Sequence, residues 1–531
     1  MRFTCNWLTA SQSLFDGSIS GDPVADFLLG SPALFTTLEP DTLDDGVSTV
    51  MGAFGQDDYK VSSHLTLNLG VRWDLQTPWV SPQNVFGTFL PGHQSKVFPN
   101  APPDFVYPGD PGIPRGLTPT RWTHFSPRLG FAYSPSDKTV VRSGFGVFFG
   151  TLIQDSGTVI ESPPFQVYSA FADPPGGLSS PLLDEPSTFP NSSSFVLPIS
   201  TFFKDWHQTQ PYSMQYNFTV ERQFSANWSA QAGYVGRQGR HLFSQIEANP
   251  AIPGPGATLD NEQQRRPYNP DYASMIRGTT DGNSYNNSLQ TKVEHRMAHG
   301  FTVLAAYTFS KSMDTNSCIT EGCGVSNPFD SHFDRGLSDF DRRHVFSLSF
   351  VSYLPQVHGS SAALRKFTNG WEFTGIASYK TGVPYNIITG QDTQMTGVGY
   401  ETFGTARPQL VGDPYVSHAN KSQYLQGYFN PNAFALPCPI TLVAGSCPVP
   451  ALGNFGRNVL IGPGYADWDL GLFKDTNVTE RAKIQFRSEF FNVFNRANFS
   501  NPDSYMPDST FGVISSAGAG RTIQLSLKVI F

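Results

Sequence analysis

The sequence predicts an all-β chain whose antiparallel strands cross a membrane as a transmembrane β-barrel, and three observations predict it. First, apolar and polar residues alternate at period two in many segments. The last of these is IQLSLKVIF (523–531), where Ile523, Leu525, Leu527, Val529 and Phe531 alternate with Gln524, Ser526 and Lys528. Such alternation marks a strand with different surroundings on its two faces. Second, short turns alternate with long connections rich in Gly, Pro, Ser and Asn. Third, charged residues make up only 15% of the chain and aromatic residues 14%, with 49 Gly and 42 Pro, a mixture that fits a turn-rich β-protein with one apolar exterior.

Taken in order, a weak strand near 46–58 precedes LTLNLGVRWDL, where Leu65, Leu67, Leu69, Val71, Trp73 and Leu75 alternate with Thr66, Asn68, Gly70, Arg72 and Asp74. Around RLGFAY the apolar set is Leu129, Phe131 and Tyr133. After the turn residues Ser134, Pro135, Ser136 and Asp137, a partner strand offers Val141, Phe145, Val147 and Phe149 against Arg142, Gly144 and Gly146, which together read as a hairpin. Met214, Tyr216, Phe218 and Val220 begin a second hairpin, completed by Trp228, Ala230, Ala232 and Tyr234. Leu289, Val293 and Met297 begin a third, completed past Ala298-His299-Gly300 by Phe301, Val303, Ala305, Tyr307 and Phe309. Further strands fall near 342–354, 369–381, 465–474, 480–495 and 520–531, giving about thirteen strands of the length that barrels use.

The connections carry as much information as the strands. Short turns near 134–138, 225–227, 298–300 and 475–479 alternate with long ones at 77–122, 151–211, 243–284, 314–341 and 382–464. Outer-membrane barrels have short periplasmic turns and long extracellular loops, whereas a compact soluble domain rarely carries structureless loops of that size. Aromatic residues at strand ends, Trp73, Tyr133, Tyr234 and Trp371, suit the interface between lipid and water. No run of about 18 apolar residues exists to make a spanning helix, and the mean hydropathy of −0.26 is what a barrel with one wet face would show. The net charge of −8, with no basic run, leaves no electrostatic footprint for nucleic acid.

The opening MRFTCNWLTASQSLFDG has no apolar core segment or small-residue cleavage site, so no signal peptide is expected in this chain. Five cysteines fall as Cys5 alone, Cys318 with Cys323, and Cys438 with Cys447. Two local disulfides in long loops and one leftover thiol are expected, with free thiols as the alternative.

Several stretches, read together, resemble the Oar-like branch of TonB-dependent outer-membrane transporters. They are FGQDDYKVSSHLTLNLGVRWD (54–74), FSPRLGFAYSPSDKTVVRSGFGVFF (125–149), PYSMQYNFTVERQF (211–224), AGYVGRQGRHL (232–242), YTFSKSMD (307–314), RGLSDFDRRHVFSLSFVSYLP (335–355), GWEFTGIASYKTGVPYN (370–386) and RSEFFNVFNRANFSNP (487–502). The final Phe531 resembles the terminal signal by which such barrels are recognised for membrane assembly. SGDPVADFLLGSP (20–32) looks like a piece from within the family's barrel. The resemblance therefore implies a partial barrel, with residues 1–45 a remnant beginning mid-barrel and 46–531 the C-terminal portion. Members carry a signal peptide, an energy-coupling segment and a plug, none of which is expected before residue 46. A complete transporter of this kind has about 22 strands. The implied localisation is the cell outer membrane. The implied partners are outer-membrane lipid, the barrel-assembly machinery and, only if a plug is supplied by the full-length protein, an energy-coupling complex. No cofactor and no enzymatic activity are implied, and the solute is open. Two alternatives are a secreted soluble β-sheet protein that binds or cleaves glycans, and a non-functional transporter remnant.

Charged residues on the polar register are expected to face the lumen: Arg72, Asp74, Arg142, Glu221, Lys292, Glu294, Arg296, Arg487 and Glu489. A Lys or Arg at mid-bilayer on the lipid face would cost about 2–4 kcal/mol. The most enzyme-like or metal-like cluster is HFDRGLSDFDRRH, with His332, Asp334, Asp339, Asp341 and His344. Its Arg and Asp residues are better read as pairing with one another where a loop enters a strand. Gly-rich SGFGVFFG (143–150) lacks the Lys-Ser/Thr of a phosphate loop, and no catalytic or metal residue is expected.

Overall fold

The computed structural model describes residues 12–14, 23–29, 34–39, 46–151, 162–165, 167–172, 195, 197–258, 260–317, 324–358, 361–398, 406–437, 451–479 and 482–531. Its main feature is a meander of thirteen strands, each hydrogen-bonded to its neighbours in chain order. They are β1 (Val50–Lys60), β2 (Leu65–Gln76), β3 (Phe125–Ser136), β4 (Thr139–Phe149), β5 (Tyr212–Gln223), β6 (Trp228–Glu247) and β7 (Tyr272–Ala298). The rest are β8 (Phe301–Asp314), β9 (His344–Tyr353), β10 (Trp371–Lys380), β11 (Tyr465–Asn477), β12 (Lys483–Phe491) and β13 (Thr522–Ile530). Every neighbouring pair in this path is antiparallel. β1 and β13 are its edges, and no ladder joins them among the described residues.

The register places the expected apolar residues on one face, because directly opposed residues point the same way. Leu69 lies opposite Leu129, which lies opposite Phe145, which in turn lies opposite Tyr216. A second row runs Phe218, Tyr234, Leu289, Phe309, and a third runs Leu470, Phe490, Ile523. These side chains are not covered by a second sheet. Leu69, Leu129, Phe145, Phe218, Tyr234, Leu289, Phe309, Ile523, Leu525 and Leu527 are all exposed. In a soluble sandwich this register would be turned into a core, so the arrangement is that of a membrane wall. No helix among the described residues is long and apolar enough to cross a membrane.

All the short connections lie at one end of the sheet and the long ones at the other. Beyond the four expected turns, the short-turn end carries a turn at 61–64, where Val61 N–H bonds Leu65 O at 3.0 Å. It also carries a longer connection at 354–370 that holds the helix Ala362–Thr368. The two-residue turn His299-Gly300 has positive φ at both residues, 53° and 77°, the combination whose twist matches two antiparallel strands.

The long connections differ from the expected structureless loops. β6 and β7 continue through much of the expected 243–284 loop, reaching Glu247 and starting at Tyr272. A short strand, Ile199–Lys204, adds to β7 in parallel. Apolar clusters then form above the sheet. Phe89, Ala101, Phe105, Tyr107, Ile199, Phe203, Tyr272 and Met275 make one. Tyr385, Ile387, Phe429, Ala433, Phe434, Phe455 and Leu460 make another, and Val85, Phe86 and Leu117 a third. Burying an aliphatic or aromatic side chain stabilises by about 1.5–3 kcal/mol, so the long connections have compact cores of their own.

Candidate functional site

The face opposite the apolar register collects the charges. Arg72 and Asp74 are two residues apart on β2, a spacing that puts both on one side of a strand, and they pair at 2.7 Å. Arg142 on β4 lies opposite Thr219, so Glu221, two residues further along β5, is its diagonal neighbour, and the two pair at 3.2 Å. On β7, Glu294 takes Lys292 at 2.9 Å and Arg296 at 3.7 Å. On β12, Arg487 pairs with Glu489 at 3.0 Å. All nine expected charges thus share the polar face, in four local groups distributed around the sheet.

Beyond the nine charges, other polar-face residues make contacts of their own, among them Asn68 of the expected alternation. The Asn68 amide donates to Asp58 at 2.6 Å, and the Arg128 guanidinium lies 4.8 Å from the Phe148 ring centroid. Asp475 accepts from Gln485 at 2.9 Å and pairs with Lys483. The polar face also holds a depression of about 340 Å³, with Leu304, Val351, Ile376, Phe473 and Phe491 around Thr374 and Gly471, and with Asp469 and Glu489 at its border. It forms where small residues of neighbouring strands face one another: Thr374 lies opposite Gly471. Such a hollow suits the apolar part of a solute or of a segment lying along this face.

The HFDRGLSDFDRRH stretch is a clamp between long connections. Arg407, only 1% exposed, pairs with Asp334 and donates to Phe455 O at 2.9 Å and Phe333 O at 3.0 Å. The second oxygen of Asp334 accepts from Ser326 N–H at 2.6 Å. Arg457 reaches Asp314 at 2.7 Å and Asp339 at 2.9 Å, and donates to the Ser317 hydroxyl at 2.7 Å. Asp341 accepts from Ser312 N–H at 2.6 Å. His344 bonds the Tyr307 hydroxyl at 2.7 Å through Nδ1, and His332 is exposed beside Asp330. The carboxylates are therefore engaged by Arg side chains and backbone amides. Among the described residues no group of three or more His, Cys, Asp or Glu is placed to hold a metal ion.

Two loop carboxylates show how differently burial acts there. Burial works against ionisation of Asp110, but backbone N–H groups of Tyr107, Val97 and Lys96 outweigh it and hold the carboxyl below the usual carboxylate range. For Glu262 burial wins over the Arg266 guanidinium and pushes the carboxyl up. Phe531 follows β13 at the short-turn end and is 95% exposed. Cys5, Cys318, Cys323, Cys438 and Cys447, and with them the expected disulfides, lie outside the described residues.

Residues 3–524 match the family described as outer membrane beta barrel domain. No curated protein matches the chain. Among solved structures, the outer membrane transporter YddB from Escherichia coli aligns with 91% of this chain and 45% of its own, at 10% identity and a TM-score of 0.47. The FrpB iron transporter from Neisseria meningitidis aligns with 92% of this chain and 46% of its own, at 11% identity and a TM-score of 0.41. The siderophore receptor PirA from Acinetobacter baumannii aligns with 91% and 46%, at 10% identity and a TM-score of 0.42. The chain spans less than half the length of these proteins.

Proposed function

The chain belongs to the outer membrane β-barrel domain family, and on that premise we propose that it is part of the wall of an Oar-like TonB-dependent receptor that takes up a solute. Residues 46–531 form the C-terminal portion of that wall in this reading, and residues 1–45 a piece of the barrel that precedes it. The observation that carries the reading is the division of the sheet. An apolar register is exposed across its strands, and the paired charges of the opposite face line a wet lumen. Arg72, Asp74, Arg142, Glu221, Lys292, Glu294, Arg296, Arg487 and Glu489 are the lumen charges.

The mechanism follows from this arrangement. The packed long connections, on the outer side, meet the solute, and the lumen face offers it paired charges and one apolar hollow. Movement through the lumen is driven by an inner-membrane energy-coupling complex acting on a plug supplied with the full-length protein. Phe531 is the contact by which the barrel-assembly machinery takes up the chain. No residue is assigned a catalytic role.

Cell fractionation tests the placement. The chain is expected in detergent-extracted outer membrane, and recovery in the soluble fraction would overturn the reading in favour of a secreted β-protein. Truncating Phe531 is expected to reduce the membrane-recovered amount while synthesis continues.

A further inference from the structure

At the short-turn end, the connection at 354–370 differs from its neighbours, because it carries the helix Ala362–Thr368. Ser361 caps the helix by accepting from Leu364 N–H. Leu364 and Phe367 are three residues apart and share one side of the helix, yet they are 48% and 72% exposed. Leu354 and Val357, in the same connection, are exposed as well. Arg365 and Lys366 lie between the two apolar residues in sequence, and residues 354–370 contain no acidic residue.

The helix is tied to the apolar side of the sheet. Trp371 lies opposite Lys474, which lies opposite Phe486, in the same register as Phe373, Leu472 and Leu470. The Trp371 indole N–H donates to Phe367 O at 2.9 Å. Lys474 Nζ bonds Asn369 O and lies 5.9 Å from the Trp371 ring centroid. A Trp and a Lys side chain at the rim of an apolar band mark the level of lipid headgroups. The helix is thus held beside the band at the depth where an apolar side chain enters lipid and a basic one meets phosphate.

We propose that the connection at 354–370 is an interfacial anchor that binds the anionic lipid surface at the short-turn end of the wall. Phe367 and Leu364 enter the acyl boundary, and Lys366 meets lipid phosphate. Charge complementarity and continuity with the apolar band commit this surface to lipid rather than to a protein. The inference rests on the membrane-wall reading.

The test is amide exchange of residues 361–369 in the full chain, reconstituted into vesicles of phosphatidylcholine alone or mixed with phosphatidylglycerol. Exchange should slow by about fivefold when the anionic lipid is present, given the attraction of the Lys366 side chain to such a surface. Lys366→Glu should abolish that lipid dependence, and Phe367→Ser should abolish the protection, with exchange in β9 and β10 unchanged in both. Equal exchange in the two vesicles, or an unaltered lipid response in Lys366→Glu, would overturn the anchor while leaving the wall intact. Strands digested by protease in the vesicles would take down the membrane reading, and the anchor with it.

Discussion

The sheet and the packed connections above it use the same residue types in opposite ways. In the sheet, Leu69, Leu129, Phe145 and Leu289 are exposed, and charges gather on the other face in pairs such as Arg142 with Glu221. In the connections, Phe105, Tyr107, Leu117 and Ile387 are buried, and Arg407 is buried with its carboxylate partner. The connections obey the rule for a protein in water, apolar inside, with buried charges such as Arg407 and Asp110 met by an opposite charge or by backbone groups. The sheet obeys the rule for a protein in lipid, where apolar side chains face out. One chain thus folds against two solvents, and the boundary runs near the long-connection ends of the strands, where Leu75, Ile246 and Ala466 become buried.

Four changes would break or sharpen that contrast. The largest effect is expected from Arg407→Ala, which leaves Asp334 buried without its cation and should cost about 3–5 kcal/mol in the connections. Trypsin should then cleave the 324–341 and 406–437 segments faster in detergent, while the heat-dependent gel shift of the barrel persists. If the gel shift is lost as well, the two regions are not separate. Next is Leu69→Arg, expected to cost about 2–4 kcal/mol on the lipid face and to reduce recovery in the outer membrane. Asn68→Arg on the neighbouring polar register should leave recovery close to that of the parent, and equal damage from both would reverse the assignment of faces.

A smaller effect belongs to Asp110. Its carboxyl is held below the usual range when folded, so it contributes stability that is present above the unfolded value of about 3.9 and lost as pH falls through the lower folded value. The near-ultraviolet circular dichroism of the loop tyrosines should weaken in acid below about pH 4. Asp110→Asn should weaken that signal already at neutral pH, at a cost of about 1–3 kcal/mol. The smallest effect is expected from Glu221→Gln. The Arg142–Glu221 pair is well exposed, and such pairs contribute about 0–1 kcal/mol, so thermal unfolding should shift little. A large shift would mean that this face is not wet.

The strands were legible in the sequence because each reports its two surroundings locally. The runs at 65–75, 214–220 and 523–531 needed only neighbouring residues to show a face, and all thirteen strands occur where expected, although β6 and β7 run well into the expected 243–284 loop, to Glu247 and from Tyr272. Two connections at the short-turn end, 61–64 and 354–370, were not singled out. The nine polar-register charges were found by the same alternation, but their pairing was not. The packed connections were illegible for a different reason. Arg407 meets Asp334 across 73 residues, and Arg457 meets Asp339 across 118. The aromatic contact between Phe89 and Tyr272 joins segments that share no local pattern. Asp334, Asp339 and Asp341 stood out in sequence as a cluster, while the cations that engage Asp334 and Asp339 lie far along the chain.

One consequence follows from the count of strands. Neighbours in the meander alternate in direction, so with an odd number of them β1 and β13 point the same way. A seam made directly between these two would be the first parallel ladder in the path. Any completion of the circumference that keeps the antiparallel pattern must insert an odd number of further strands and bring the total to an even number, as bacterial single-chain barrels have.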